Sequence, residues 1–311
     1  MVLNDISYFN YRSQDDSVLT HHTRTLFSEC TEEQKKRILE SDYVHAHDRY
    51  EIIYLISGRV SYIVDGVSYQ LKHGDVLIIP PGKIHKRNIV PVEDYERYSI
   101  EFHRNLISSP PIHLNNLLDE LLIVGNDYLI HFPAETVKKY GLDNSIQKFE
   151  KFQKYEHNKD IILISYILDL AIEINDAILK EQSSDKSDIL SIDHPRSVLR
   201  EIVNYVDQNL YSEIKLDDIA SALYLNKYYL SHHFKEKMGV SLKKYVIMKK
   251  LFHADYLINN GKPPTEVARK LGYENYSTFY YAYKKQFGRE PSKLRPYVED
   301  YGRKDKKKDE E

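Results

Sequence analysis

One pattern of capped, apolar-striped helix pairs occurs twice near the C-terminal end, and it leaves little freedom in how that part of the chain folds. The first copy is LDDIASALYLNKYYLSHHFKEKMG, residues 216–239. Asp217 is expected to open a short helix with Ile219, Ala220 and Leu223 inward, and Asn226 to cap a second helix with Leu230 and Phe234 inward. The second copy is PTEVARKLGYENYSTFYYAYKKQFG, residues 264–288. Here Val267, Ala268 and Leu271 face in, Gly272 supplies the turn, Asn275 caps, and Phe279, Tyr283 and Phe287 form an i, i+4, i+8 stripe. Spacing alone predicts two helix-turn-helix units.

On each second helix, a set of polar and aromatic side chains falls off the apolar stripe. In the second copy these are Tyr276, Ser277, Thr278, Tyr280, Tyr281, Lys284 and Lys285; the matching positions in the first are Lys227, Tyr228, Tyr229, Ser231 and His232. Tyrosine exposed twice on matching faces is poorly explained by packing. In a helix-turn-helix the second helix enters the major groove, N-terminal turns nearest the base edges, where hydroxyls exchange hydrogen bonds with bases and phosphates. Charge agrees with a polyanionic partner: residues 196–295 hold 18 Lys and Arg against 10 Asp and Glu, in a chain whose net charge is -3. The opposing view is that this charge only keeps a small domain soluble.

The stretch 216–295 resembles the DNA-binding domain of the AraC/XylS family of bacterial transcription regulators, two helix-turn-helix units joined by a long helix. The linking helix SLKKYVIMKKLFHADYLIN carries the family's spacing at Tyr245, Lys250, Leu251, Ala254 and Leu257, and the closing motif is present as Gly288, Pro291, Ser292 and Arg295. Lys250 stands where the family usually has Arg. Pro263-Pro264 replaces a Ser-Ile, which alters helix capping without breaking the motif, since proline is tolerated at the first helical position. The resemblance implies DNA contacts from Tyr228, Tyr229, Ser231 and His232, then from Tyr276, Ser277, Thr278 and Tyr281, with Lys250 on the linking helix. Lys243, Lys244, Lys249 and Lys250 are expected to contact phosphates or to solvate that helix.

The N-terminal half follows a different period. Runs EIIYLIS, RVSYIV, VSYQL and VLII between residues 51 and 79 are separated by turn signals, with Asp65-Gly66 a strong hairpin mark. An antiparallel sheet or small barrel is expected over 51–103. From about 112 to 180 the period becomes helical, with Ile164, Ile167, Leu168, Ala171, Ile174 and Ile178 in register, so a helical hairpin is expected to follow. The fold class is therefore α+β: a sensor domain over 1–180, a polar linker over 181–195, an all-α domain over 196–295 and a charged, disordered tail over 296–311.

Within the sheet region, HAHDRYEIIYLISG places His45, His47 and Glu51 at odd positions, which one strand directs to one face, and GDVLIIPPGKIH adds His85. Three imidazoles and a carboxylate suit Zn(II), Fe(II), Mn(II) or Ni(II). The spacings H-x-H-x3-E-x6-G and G-x5-P-x-G-x2-H closely resemble the two cupin motifs, whose barrel often holds a metal on those four residues. In regulators that look like this one, such a barrel binds a small organic effector, often a sugar, without a demonstrated metal. No cofactor is required on that reading, and a divalent metal is the alternative. Tyr54, Tyr62, Tyr69 and Arg97 are further pocket candidates.

A ligand-responsive, DNA-binding transcription regulator is the leading expectation, with RNA polymerase as a further partner if it activates. A metal-dependent cupin enzyme or a metal sensor carrying a DNA-binding module is the alternative; no acid-base pair stands out to support an enzyme. The apolar helix at 160–180 either forms a homodimer interface, as the resemblance suggests, or packs on its own barrel. A single cysteine, Cys30, excludes an internal disulfide, and no run reaches the ~18 apolar residues of a membrane span. A cytoplasmic protein without a membrane partner is expected.

Overall fold

A computed structural model describes residues 5–13, 18–41, 44–89, 93–103, 130–155, 157–183 and 197–292, with a few more between 106 and 128. Most of the expected linker, the expected tail and Arg295 lie outside the described residues. The chain runs through β1 (Asp5–Arg12), β2 (Val18–Thr25), α1 (Glu32–Ser41), β3 (Arg49–Ser57), β4 (Val60–Val64), β5 (Val67–Leu71), β6 (Val76–Ile79), β7 (His85–Ile89) and β8 (Tyr95–His103). Short strands β9 (Ile123–Val124), β10 (Asp127–Tyr128) and β11 (His131–Phe132) precede α2 (Ala134–Tyr140), α3 (Leu142–Lys151) and α4 (Lys159–Ser183). Six helices follow: α5 (Val198–Gln208), α6 (Leu216–Ala222), α7 (Lys227–Met238), α8 (Leu242–Asn259), α9 (Pro264–Lys270) and α10 (Tyr276–Phe287).

Antiparallel pairing builds a six-stranded sheet in the order β1-β2-β8-β3-β6-β11 and a three-stranded sheet β5-β4-β7. Period-two alternation along β3 decides which core each residue joins. Ile53 and Leu55 enter the barrel core with Tyr62, Val64, Tyr69 and Leu77. Tyr50 and Ile52 take the other face and pack with Phe149, Phe152, Leu163, Ile167 and Ile174 of the helical layer, with Tyr54 partly buried beside them. The helical hairpin of α3 and α4 is present, short strands stand at 123–132 where helix was expected, and residues 107–122 lie outside the described residues. The alternation reading also does not single out β1, β2 or α1.

Each helix-turn-helix unit closes on its own stripe. Asn226 Oδ1 accepts from the backbone N–H groups of Tyr228 (2.8 Å) and Tyr229 (3.3 Å), and Asn275 Oδ1 accepts from that of Thr278 (2.8 Å), so both second helices start on a side-chain cap. Asp217 does not cap α6; Lys215 occupies the cap position and Asp217 lies in the first turn, where a carboxylate suits the helix dipole. Pro264 is the first residue of α9, as its missing N–H allows. Leu230, Phe234 and Met238 join the core of the first unit, and Phe279 and Tyr283 that of the second.

A polar knot fastens the second unit to α8. The Asp255 carboxylate is buried and accepts from the Tyr283 hydroxyl, from Arg289 and from Asn259 Nδ2 at 3.0 Å, while Arg289 Nη1 also donates to the Tyr283 oxygen at 2.7 Å. Burial, then the Asp255 charge, pushes the Tyr283 phenol well above its ordinary value, so it stays a donor. Replacing Asp255 by Ala leaves a cation and a hydroxyl without their acceptor. A loss of about 3 kcal/mol is expected in urea unfolding, since truncating one side of a buried ionic contact costs roughly that much; a change below about 0.5 kcal/mol, the range of neutral surface substitutions, contradicts the knot.

Candidate nucleic-acid interface and barrel site

β3 carries Glu51 near the middle of the larger sheet, where it pairs with Ile79 of β6 on one side and Glu101 of β8 on the other. The turn before β7 returns His85 to the same place. His45 is not part of a strand; it meets His85 in an isolated bridge made by His45 N–H to His85 O (2.9 Å) and His85 N–H to His45 O (2.8 Å). The structure thus brings His45, His47, Glu51 and His85 together, with one donor atom from each lying within 4.8 Å of the others.

Hydrogen bonding fixes the state of two of the rings. His47 Nδ1 lies 3.0 Å from the carbonyl of Arg49, and His85 Nδ1 lies 2.8 Å from the carbonyl of Lys83. A carbonyl only accepts, so both rings carry their proton on Nδ1 and, when neutral, present a lone pair on Nε2. Both Nε2 atoms face the same carboxylate oxygen, Glu51 Oε2, at 3.4 and 3.3 Å. The buried His85 Nε2 makes no well-directed hydrogen bond. Lone pairs converging on a carboxylate call for an added positive charge, either protons or a metal ion. The residues fit a metal: bonds of about 2.1 Å in four- or six-coordinate geometry put ligand atoms about 3.0–3.4 Å apart, and imidazoles whose far nitrogen donates to a backbone carbonyl are the usual metal-ligand arrangement.

Around the quartet, Ser99 Oγ donates to Glu51 Oε1 at 3.1 Å, and Arg97 Nη1 donates to the Tyr62 hydroxyl at 2.7 Å while lying 3.6 Å from Glu51 Oε1. Burial would raise the Glu51 carboxyl, but the imidazoles of His47 and His85 facing it and the charge of Arg97 hold it well below the usual carboxylate range. Burial works against a charged His47; the Glu51 carboxylate outweighs it and raises the imidazole. Of the further pocket candidates, Tyr62 and Arg97 belong to this environment, and Tyr69 is buried in the same barrel core as Tyr62. Tyr54 does not, because its even position on β3 turns it to the helical layer.

On α7 and α10 the sequence-predicted DNA contacts stand outside the cores. Tyr228 and Tyr281 are each 71% exposed, Tyr229 and Tyr276 are exposed, as are Ser277, Thr278 and His232, and Ser231 is half-buried. The Tyr228 and His232 rings lie 3.8 Å apart, and His232 Nδ1 donates to the Tyr228 carbonyl at 3.0 Å. Lys250 is placed differently: its Nζ donates to the carbonyls of Ser212 (2.9 Å) and Leu271 (2.8 Å), bridging the two units instead of reaching outward.

Lys249 departs most from expectation. It is buried and its Nζ lies 3.0 Å from Asp65 Oδ2 and 2.8 Å from Asp207 Oδ1, so it neither solvates α8 nor meets phosphate. Asp65 sits at the tip of the β4–β5 hairpin and also accepts from the Tyr245 hydroxyl (3.1 Å), from Lys83 Nζ (3.0 Å) and from the Ile84 N–H (3.1 Å). In the sequence, Asp65-Gly66 carries only a turn signal. A faint signal existed: Lys249 falls four residues after Tyr245 and three before Phe252, on the buried face of α8.

Residues 39–109 match the family model of the AraC-like ligand binding domain, and residues 219–296 match that of a helix-turn-helix domain. The lactose operon transcription activator of Staphylococcus xylosus is 20% identical over 231 residues, covering 74% of this chain and 77% of that protein. The Msm operon regulatory protein of Streptococcus mutans is 27% identical over 113 residues, covering 35% of this chain, which spans 41% of that protein's length. Among solved structures, ToxT from Vibrio cholerae O395 aligns at 16% identity over 89% of this chain and 96% of that chain, with a TM-score of 0.35. Among the described residues, no helix is long and apolar enough to cross a membrane. The chain thus joins an AraC-like ligand-binding module to a helix-turn-helix module, and in this it is similar to transcription regulators of the AraC type.

Proposed function

We propose that this chain is a sequence-specific DNA-binding transcription regulator in which α7 and α10 read double-stranded DNA and a small effector held in the barrel alters that reading. The observation that carries it is the duplication on the two second helices. Both start on an asparagine cap, both bury one stripe, and both leave tyrosines exposed near the N-terminal turns, with Ser277 and Thr278 exposed on α10 and Ser231 half-buried on α7. A sugar is the effector class favoured by a barrel lined with Tyr62, Tyr69, Arg97 and Glu51, where ring faces meet C–H groups and the polar groups pair with hydroxyls. An activator of this type would also meet RNA polymerase.

A homodimer is supported by α4. Ile161, Ile172 and Leu179 are exposed, at 67%, 54% and 48%, although apolar. Positions 161, 165, 168, 172, 175 and 179 advance by alternating steps of four and three, which keeps them on one helix face in the manner of a coiled-coil seam. The opposite face, with Leu163, Ile167, Leu170 and Ile174, is buried against the protein's own core, so α4 has a second apolar side to cover.

DNA contacts are tested with duplexes selected by the purified protein from a random-sequence pool. Tyr281→Ala and Ser231→Ala are each expected to relax preference at one base position by about 1–3 kcal/mol, whereas Lys284→Ala is expected to weaken all sequences alike and to reduce the salt slope by about one. Unchanged preference in both base-facing variants would remove these residues from the interface. For the dimer, light scattering after size exclusion is expected to give twice the chain mass at micromolar concentration and the monomer mass for Ile172→Glu; a wild-type monomer with and without DNA refutes the seam.

A further inference from the structure

His45 and His85 share their backbone with the surface that covers the DNA-facing half of the chain. His45 lies between Val44 and Ala46, and His85 follows Ile84. Val44 and Ile84 are buried in the core of the first helix-turn-helix unit together with Leu199, Val203 and Leu230, and Ala46 packs against it. The rings of His45 and His85 are held in the quartet while their immediate neighbours are held in the other domain. The hairpin tip lies alongside. Asp65 and Ile84 exchange hydrogen bonds, Asp65 N–H to Ile84 O at 2.9 Å and Ile84 N–H to Asp65 Oδ1 at 3.1 Å, and the same carboxylate binds Tyr245 and Lys249 of α8. Gly82 completes the edge: its N–H donates to the His47 carbonyl at 2.8 Å, and a Cβ there would meet Phe252 Cβ of α8 at 3.4 Å.

We propose that the barrel edge formed by residues 44–46, the Asp65-Gly66 tip and residues 82–85 is a docking surface for the first helix-turn-helix unit, and that a divalent cation on the quartet controls that docking by fixing His45 and His85. The proposal rests on the reading of this chain as a DNA-binding regulator. The converging lone pairs of His47 and His85 supply the demand for a cation, and the one-residue step from His85 to Ile84 supplies the lever. A cation that draws four donors toward one point shifts Val44 and Ile84 by the same backbone movement. The edge has room to respond, because a cavity of about 200 Å³ lies beside it, lined by Val64, Tyr69, Lys83, Arg200, Asn204 and Asp207 among others. Coupling between the two sites is reciprocal, so DNA that favours one docking arrangement also changes cation affinity.

The test uses the full chain, stripped by chelator and then reloaded with Zn(II) or Mn(II). About one ion per chain is expected by elemental analysis in the wild type, as for a single site, and its loss in His47→Gln. Kd for a pool-selected duplex is expected to differ fivefold or more between stripped and loaded wild type, the lower end of typical couplings. Asp65→Asn keeps the turn geometry and should keep the ion, yet the difference in Kd should shrink below about twofold. Lys249→Met breaks the same contact from the α8 side and should behave alike, which separates lost coupling from a local fault in the turn. Amide exchange along α5 and α8 should change on loading in the wild type and not in either variant. Failure to retain either ion, or an equal effect of loading in wild type and both variants, overturns the proposal. If no sequence is selected from the pool in any state, the regulator reading fails instead, and amide exchange still decides whether the cation reaches α5 and α8.

Discussion

The Asp65 carboxylate is the charge on which the joining of the two halves depends. A tight hairpin asks for positive φ at both tip residues, and Asp65 (φ 43°) and Gly66 (φ 80°) supply it. Gly66 has a second reason to be glycine. A Cβ there would stand 2.9 Å from Val203 Cγ2 and 3.1 Å from the Leu199 carbonyl, so the tip reaches α5 only without a side chain. Once the tip is inserted, the carboxylate is out of water and needs cations. Burial alone would raise its pKa, but Lys249 first and Lys83 next hold it far below the ordinary range. Such a contact adds little net stability, since desolvation offsets most of the attraction; what it adds is a requirement that the two halves meet in one register.

Strand parity governs the rest. Because β3 is flanked by β8 and β6, each step along it alternates between the barrel interior and the layer of α3 and α4. Glu51 falls on the interior side and Tyr50 on the exterior, so the quartet and the helical layer are fastened to opposite faces of the same strand. A displacement felt by the quartet therefore has two exits, outward to α4 through β3, or along the turn before β7 to the first helix-turn-helix unit. The second is the shorter covalent path, through Ile84.

Much of this was legible in the sequence because local chemistry determines it. The Asn226 and Asn275 caps, the stripes through Phe234 and Phe279 and the hairpin at Asp65-Gly66 follow from spacing over a few residues, while the meeting of His85 with His45, His47 and Glu51 was expected from the resemblance to the two cupin motifs. What was not legible depends on contacts distant in sequence. Lys249 looks like its neighbours Lys243, Lys244 and Lys250, and only the approach of residue 65 makes it a buried ion. Alternation along β3 fixes that Tyr54 and Glu51 take opposite faces, but not which face is inward. β2, VLTHHTRT, alternates too weakly in hydrophobicity to stand out, although Val18 and Leu19 are buried. Where the helical period was expected to run from about 112, residues 107–122 lie outside the described residues, and β9, β10 and β11 occupy described positions before α2, β11 pairing with β6.

Rigidity in the C-terminal helical half sharpens what any signal has to do. α8 runs through both units; Lys250 pins the carbonyls of Ser212 and Leu271, and Asp255 pins Tyr283 and Arg289. Tyr283 and Tyr281, two residues apart on α10, thus have opposite tasks: one hydroxyl is consumed holding the second unit to α8, the other ring is left in solvent. With these anchors in place the two second helices keep a fixed relation, and a switch that had to repack them would work against buried polar contacts worth several kcal/mol. Moving the barrel relative to α5 and α8 works on other contacts. It exchanges the Asp65–Lys249 contact and the packing of Val44, Ile63 and Ile84 on the first unit, and leaves the Lys250 and Asp255 anchors in place, which is why control by effector or cation is expected to act on where the barrel sits and not on the relation of α7 to α10.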